Sequence, residues 1–177
     1  MHKHFIKSIF FVIILALFTS CNEDKDSNKV IIKIETVIKE NDSVRVFYTS
    51  DNSIDFKEEQ AVWKKISGSG KNQEILVEIP KNVQPNQLRI DFGKNIANQE
   101  IVLNKICVSY LESTFEAKGE EIYWYFRPDE NNTTLDKKNG VLKRKNPSQL
   151  NGPSIYPKGD KLKEQLNELY KKEANAK

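Results

Sequence analysis

Period-two alternation of apolar residues, in runs too short for helices, restricts this chain more than any other feature. Val30, Ile32 and Ile34 alternate with Ile31, Lys33 and Glu35. Val44, Val46 and Tyr48 alternate with Arg45 and Phe47, and Glu40-Asn41-Asp42-Ser43 between the two runs supplies turn residues, so a hairpin is expected here. Further strands are expected at Gln60–Ser67, at Gln73–Ile79 with Ile75, Val77 and Ile79 on one face, and at Leu88–Phe92 with Leu88, Ile90 and Phe92 inward. Pro80 ends the second of these, because proline cannot donate to a ladder. Glu100–Tyr110 is apolar on both parities, which predicts a strand covered on both sides. Glu121–Arg127 (EIYWYFR) reads as the last strand. About seven short strands with turns between them and no intervening helix predict an all-β fold, an antiparallel β-sandwich spanning 30–127.

Beyond Pro128 the composition shifts to Asn, Lys, Pro and Ser, and 128–159 is expected to be an extended basic segment. Residues 160–177 then read as a short C-terminal helix and tail. Asp160 stands at the cap position, and Leu162, Leu166, Leu169 and Tyr170 form one apolar stripe. A helix this short is marginal alone, so the stripe is expected to dock on the sandwich or on a partner. Charge divides at the same place. Cys21 to Asp136 holds 15 basic and 21 acidic residues, and Lys137 to Lys177 holds 11 basic and 4 acidic. The excess peaks at Lys137, Lys138, Lys143, Arg144 and Lys145, which makes these five the candidates for an anionic partner.

The N-terminus carries a routing signal over 1–20. A basic start with Lys3 and Lys7 precedes the uninterrupted apolar run Ile9–Phe18. Ten helical residues rise about 15 Å, half of what a bilayer core requires. Leu17-Phe18-Thr19-Ser20-Cys21 resembles the lipobox of bacterial lipoproteins, with Phe18 departing from the usual aliphatic residue. The resemblance implies cleavage before Cys21, acylation of its thiol, and attachment to the membrane through N-terminal lipid. Asn22-Glu23-Asp24-Lys25-Asp26 resembles the acidic export tag of surface-displayed outer-membrane lipoproteins, so 21–29 is expected to be an acidic flexible tether. The implied location is the outer membrane, with surface exposure favoured over the periplasmic face. Cys107 is then the one remaining thiol of the mature chain, and its apolar surroundings predict a buried, inert side chain.

Phe47-Tyr48, Gln73-Glu74-Ile75, Ile79-Pro80, Leu88–Gly93 and Ile101–Val108 follow an order similar to that of galactose-binding-domain-like modules, which are jelly-roll sandwiches. The resemblance covers less than half of the chain. It implies a jelly-roll-like sandwich of a kind that either binds glycans or serves as a spacer, and it carries no sugar-contact residue over.

The chemistry open to such a chain is narrow. His2 and His4 are the two histidines, and signal cleavage removes both. This excludes a Ser-His-Asp triad, a Cys-His pair and His-bound zinc from the mature protein. Gly68-Ser69-Gly70 lacks the lysine-hydroxyl ending and following helix of a phosphate loop. The expectation is a non-catalytic envelope module without cofactor, metal or nucleic-acid partner, acting through an envelope protein or a glycan. Glycan binding requires flat aromatic faces beside polar groups, and the candidates are Trp63, Tyr123 and Tyr125 with Arg89 and Asp91.

Overall fold

The computed structural model describes residues 28–175. The expected signal segment, Cys21 and most of the tether lie outside the described residues.

Within them the chain forms two antiparallel sheets packed face to face. Sheet A contains β1 (Val30–Ile38), β4 (Ser69–Glu78), β6 (Glu100–Tyr110), β7 (Ser113–Lys118), β9 (Thr133–Asp136) and β10 (Val141–Arg144). They lie in the order β4-β1-β6-β10-β9, with β7 also paired to β6. Sheet B contains β2 (Asp42–Thr49), β3 (Ala61–Ile66), β5 (Gln87–Phe92), β8 (Phe126–Pro128) and β11 (Ser154–Pro157), in the order β3-β2-β5-β11-β8. Val30, Ile32, Ile34, Val77 and Val108 of sheet A and Val44, Val46, Leu88, Ile90 and Phe92 of sheet B join one buried cluster. The β-branched residues stand where both edges of a strand are paired, as on β1 between β4 and β6. The outermost strands β3 and β4 carry exposed Lys64, Lys65, Lys71 and Glu74, which discourages further strand addition.

The expected hairpin of β1 and β2 does not form. Lys39–Asn41 carries the chain from one sheet to the other, and β2 pairs with β3 and β5 instead. The double-sided apolar pattern of β6 also has a different cause from the one expected. Lys105 pairs with Glu35 and Leu103 with Thr36, so Asn104 is left over as a bulge. The extra residue switches parity. Ile101 and Leu103 point inward before it, and Ile106, Val108 and Tyr110 point inward after it.

Glu121–Arg127 is not a strand over its length. Gly119, at φ +55°, turns the chain into a short 3-10 turn, and Ile122–Tyr125 forms a single helical turn (α1) before β8 begins at Phe126. Ile122, Tyr123 and Phe126 are buried and Trp124 is exposed, a helical spacing in place of alternation.

The segment 128–159 is likewise not merely extended. It supplies β9, β10 and β11, and β10 and β11 are interior strands of the two sheets. They are short, and the buried set includes the polar residues Thr133, Arg144 and Ser154, so hydropathy alone conceals them.

The C-terminal helix α2 (Lys161–Asn175) packs on the chain's own sandwich, against β7 and β6 of sheet A, β5 of sheet B, and α1. Leu162, Leu166 and Leu169 are buried, a contribution of about 2 kcal/mol each. The Asp160 carbonyl accepts the Glu164 N–H at 2.9 Å, while its carboxylate pairs with Lys163 at 2.7 Å. Tyr170 donates its hydroxyl to the Pro85 carbonyl at 2.8 Å and meets Tyr110 edge to face, with ring centroids 5.3 Å apart. The helix therefore closes the end at which β1 begins, where the Asn28 carbonyl accepts the Asn82 N–H.

Tyr123 lies under this closure with a buried hydroxyl that has no hydrogen-bond partner. Burial pushes its phenol up to about 12. The protonated phenol is thus favoured by folding. Its contribution is complete below the unfolded value near 10 and is lost as pH rises from there through about 12. We expect Tyr123→Phe to raise stability at neutral pH by about 1 kcal/mol, since an unpaired buried donor is removed. The variant is also expected to show a shallower loss of stability between pH 10 and 12. Urea titrations of both proteins across that range check this; an unchanged slope would contradict it.

Candidate functional site

The two outer faces of the sandwich differ in kind. On sheet A the outward residues include lysines and glutamates paired across strands, beside the exposed Leu76: Lys33 with Glu74 at 3.1 Å, Lys105 with Glu35 at 2.6 Å and Glu116 at 3.6 Å, and Lys143 with Glu100 at 3.2 Å. The bond from Lys105 holds the Glu35 carboxyl below its ordinary range and raises the lysine. Such solvent-accessible, mutually satisfied pairs are worth little and make an ordinary wet surface.

Sheet B presents arginines and aromatic rings instead. Pairing register places Trp63, Arg45, Asp91 and Ser154 side by side across β3, β2, β5 and β11. In the neighbouring row Phe47 lies opposite Arg89, and Tyr156 opposite Arg127. The guanidiniums insert between the rings. Arg45 lies 4.2 Å from the centre of Phe47 and 4.6 Å from that of Trp63, and Arg89 lies 4.7 Å from Phe47 and 4.6 Å from Tyr156. Asp91 ties the two together. It accepts Arg89 Nε and Nη2 at 2.8 and 2.9 Å, and Arg45 Nη2 at 2.9 Å. Arg45 Nη1 reaches Glu58 at 2.6 and 2.7 Å. Glu58 comes from the connection between β2 and β3, which also lays Phe56 over Phe47 and Tyr156.

That connection leaves the Trp63 row open, and a shallow hollow forms there. Its walls include Trp63, Arg45, Asp91, Lys94, Asn151 and Ser154, with Gly93 and Gly152 among its lining. It has room for about one water, roughly 10 Å³, so it is a shallow depression in the surface and not an enclosed chamber. The Trp63 indole is 48% exposed, and the Lys94 ammonium lies 5.8 Å from its centre.

The loops around the hollow are held tightly. The Asp42 carboxylate accepts the N–H groups of Ser43 at 2.9 Å, Lys94 at 2.9 Å and Asn95 at 3.2 Å, and the amide of Asn98 at 3.0 Å. Gly93 adopts φ +72°, and a Cβ there would fall 2.0 Å from Asp42 Oδ2. Gly152 donates its N–H to the Gly93 carbonyl at 2.8 Å, and its own Cβ would fall 1.9 Å from the Phe92 carbonyl.

The sequence-selected residues divide accordingly. Trp63, Arg89 and Asp91 lie on this one face. Tyr123 is buried and Tyr125 is half-buried, edge to face with Phe115 at 4.9 Å, so both belong to the α1 packing and not to the hollow. The five basic residues do not form one surface. Arg144 is buried, with Nε on the Asn98 carbonyl at 3.0 Å, Nη1 on those of Gln149 and Asn151 at 2.6 and 2.8 Å, and Nη2 on that of Asn95 at 3.0 Å. Burial lowers its proton affinity, and the Asp42 charge acts in the opposite sense. Lys143 faces outward from sheet A, Lys145 donates to the Glu130 carbonyl at 2.7 Å, and Lys137 and Lys138 occupy the turn between β9 and β10. Cys107 is buried. Arg45, Lys94 and Asn151 escape sequence reasoning. Arg45 alternates with inward valines and could have been read as outward-facing, whereas Lys94 and Asn151 lie in loops whose meeting is purely tertiary.

Among the described residues, no three or more His, Cys, Asp or Glu side chains gather as a metal site would require, and no helix is long and apolar enough to cross a membrane. No family model, curated protein or solved structure matches the chain.

Arg144 provides the test of how the hollow is built. Arg144→Lys keeps the charge but has three donors on one nitrogen, which cannot reach four carbonyls in a plane. We expect a loss of about 2–4 kcal/mol in denaturant unfolding. A loss below about 0.5 kcal/mol would show that the four bonds do not organise these loops.

Proposed function

We propose that the chain is a non-catalytic, lipid-anchored accessory module of the cell envelope, and that it binds carbohydrate on the outer face of sheet B. The observation that carries the binding half is the half-exposed Trp63 indole at the edge of a shallow polar hollow. Sugar rings present apolar C–H faces that stack on an indole, while their hydroxyls need donors and acceptors at the rim. Asn151, exposed at the rim, and Asp91 are such groups. Arg45 is largely covered beneath the ring, so the surface that Trp63 still offers is its solvent side. Asp91 is tied down by two guanidiniums, which suits a fixed acceptor better than a proton carrier.

The anchoring half rests on the lipobox resemblance ending at Cys21. The fold is compatible with it. The chain enters the sandwich at the start of the nine-residue β1, and the hollow lies towards the other end, where β1 gives way to Lys39–Asn41. A strand of that length spans about 30 Å. Outer-membrane attachment with the hollow turned away from the lipid follows from this reading, with surface display favoured.

A glycan array probed with the detergent-solubilised full-length protein tests the binding. We expect a restricted set of bound saccharides and at least a tenfold loss with Trp63→Ala. Full retention by Trp63→Ala, or no saccharide bound at all, would remove the carbohydrate reading. Anchoring is read separately by incorporation of labelled palmitate in cells, which is expected to vanish in Cys21→Ser; label surviving that substitution would refute acylation at Cys21.

A further inference from the structure

The charge around Trp63 says more than that a sugar fits. Among the described residues, Lys94 makes no ion pair; its ammonium stands over the Trp63 ring, 5.8 Å from the centre. Its position is not incidental. Asp42 fixes its backbone N–H, and the preceding Gly93, at φ +72°, lies so close to the same carboxylate that no side chain fits there. The one carboxylate lining the hollow, Asp91, is already engaged by Arg45 and Arg89. The wall thus has one ammonium, that of Lys94, without an anionic partner, and no free anion. A neutral sugar does not use such a surplus, whereas a ring substituent bearing negative charge does.

We infer that the hollow selects an acidic saccharide, a pyranose stacked on Trp63 whose ring-borne carboxylate or sulfate pairs with the Lys94 ammonium. This rests on the carbohydrate reading above and narrows it to a ligand class. Asn151 lines the same hollow and supplies an amide that can bond a ring hydroxyl. Lysine, a mobile point charge, accepts either anion.

Two matched pairs of polymers test it on the full-length protein in detergent: polygalacturonate against its fully methyl-esterified form, and dextran sulfate against dextran. Affinity electrophoresis or calorimetry at low and moderate salt reads the difference. We expect the charged member of at least one pair to bind about tenfold more tightly, with the preference shrinking as salt rises. The pair that shows it identifies the anion as carboxylate or sulfate. Lys94→Gln is expected to bring the charged polymer down to its neutral partner, and Lys94→Arg to restore part of the difference. Lys137→Gln combined with Lys138→Gln, in the exposed β9–β10 turn, is expected to leave the preference intact. Equal binding within both pairs overturns this inference while the broader carbohydrate reading survives. A preference that ignores Lys94→Gln, or that falls with the turn lysines, also overturns it, because the attraction is then diffuse. No binding to any of the four polymers, together with an empty glycan array, removes both readings.

Discussion

Asp42 is the carboxylate on which the far end of this sandwich depends. It stands at the first position of β2, where the chain has just changed sheets, and it accepts three backbone N–H groups and one side-chain amide. All but the Ser43 N–H belong to the loop following β5, which has no ladder of its own to satisfy them. Arg144 performs the complementary task. It arrives from β10 in the other sheet and saturates four carbonyls of the two loops around the hollow. One anion collects donors and one cation collects acceptors, so irregular backbone is held as firmly as a strand. A hollow built from loops is normally soft; this one is fixed from both sides, so a ligand of the kind proposed would meet a lowered ordering cost.

The contrast between the outer faces follows from the same economy of contacts. A sandwich has two outward surfaces, and solubility asks only that each be polar. Sheet A meets that need with lysine–glutamate pairs, which are weak and interchangeable. Sheet B meets it with arginines stacked between aromatic rings and locked to Asp91, an arrangement that orders long side chains and covers apolar area. Ordering of that kind on an outer face does little for a core already complete without it. It does provide a rigid, flat floor beside an exposed indole, and that is the physical reason to place function on sheet B.

Inward parity of β1, β4 and β5 was legible in the sequence because each keeps one buried face, and the register shift between β1 and β4 beyond Thr36 leaves the alternation of β1 intact. The class of fold follows from those strands. Legibility fails where tertiary structure overrides period. In β6 a single bulged residue, Asn104, makes a one-faced strand look two-faced. In Ile122–Tyr125 an alternating aromatic run folds as a helical turn because Gly119 redirects the chain before it. In β9 and β10 the inward positions include Thr133 and Arg144, so a hydropathy pattern has nothing to register. The basic run ending at Lys145 misleads for a related reason. Adjacent residues on a strand face opposite ways, and Lys143 and Arg144 therefore end on different sides of sheet A. Of the site itself, Trp63, Arg89 and Asp91 could be chosen from residue type and parity, but Arg45 gains its role only from cross-strand register, and Lys94 only from the meeting of loops.

Register also explains why the site could not be built on one strand. For the carbohydrate site proposed above, a stacking ring, a counter-ion and polar rim groups must lie within one sugar's width. Successive outward residues of a single strand are about 6.5–7 Å apart, whereas neighbouring strands are about 4.8 Å apart. Crossing the sheet is therefore the denser direction, and the Trp63–Arg45–Asp91–Ser154 row runs that way. Any substitution that slips β2 by one residue would turn Arg45 inward and Val44 and Val46 outward, dismantling row and core together. The site and the fold are in this sense one constraint. The buried valines of β2 fix the register, and that register sets the arginine beneath the indole.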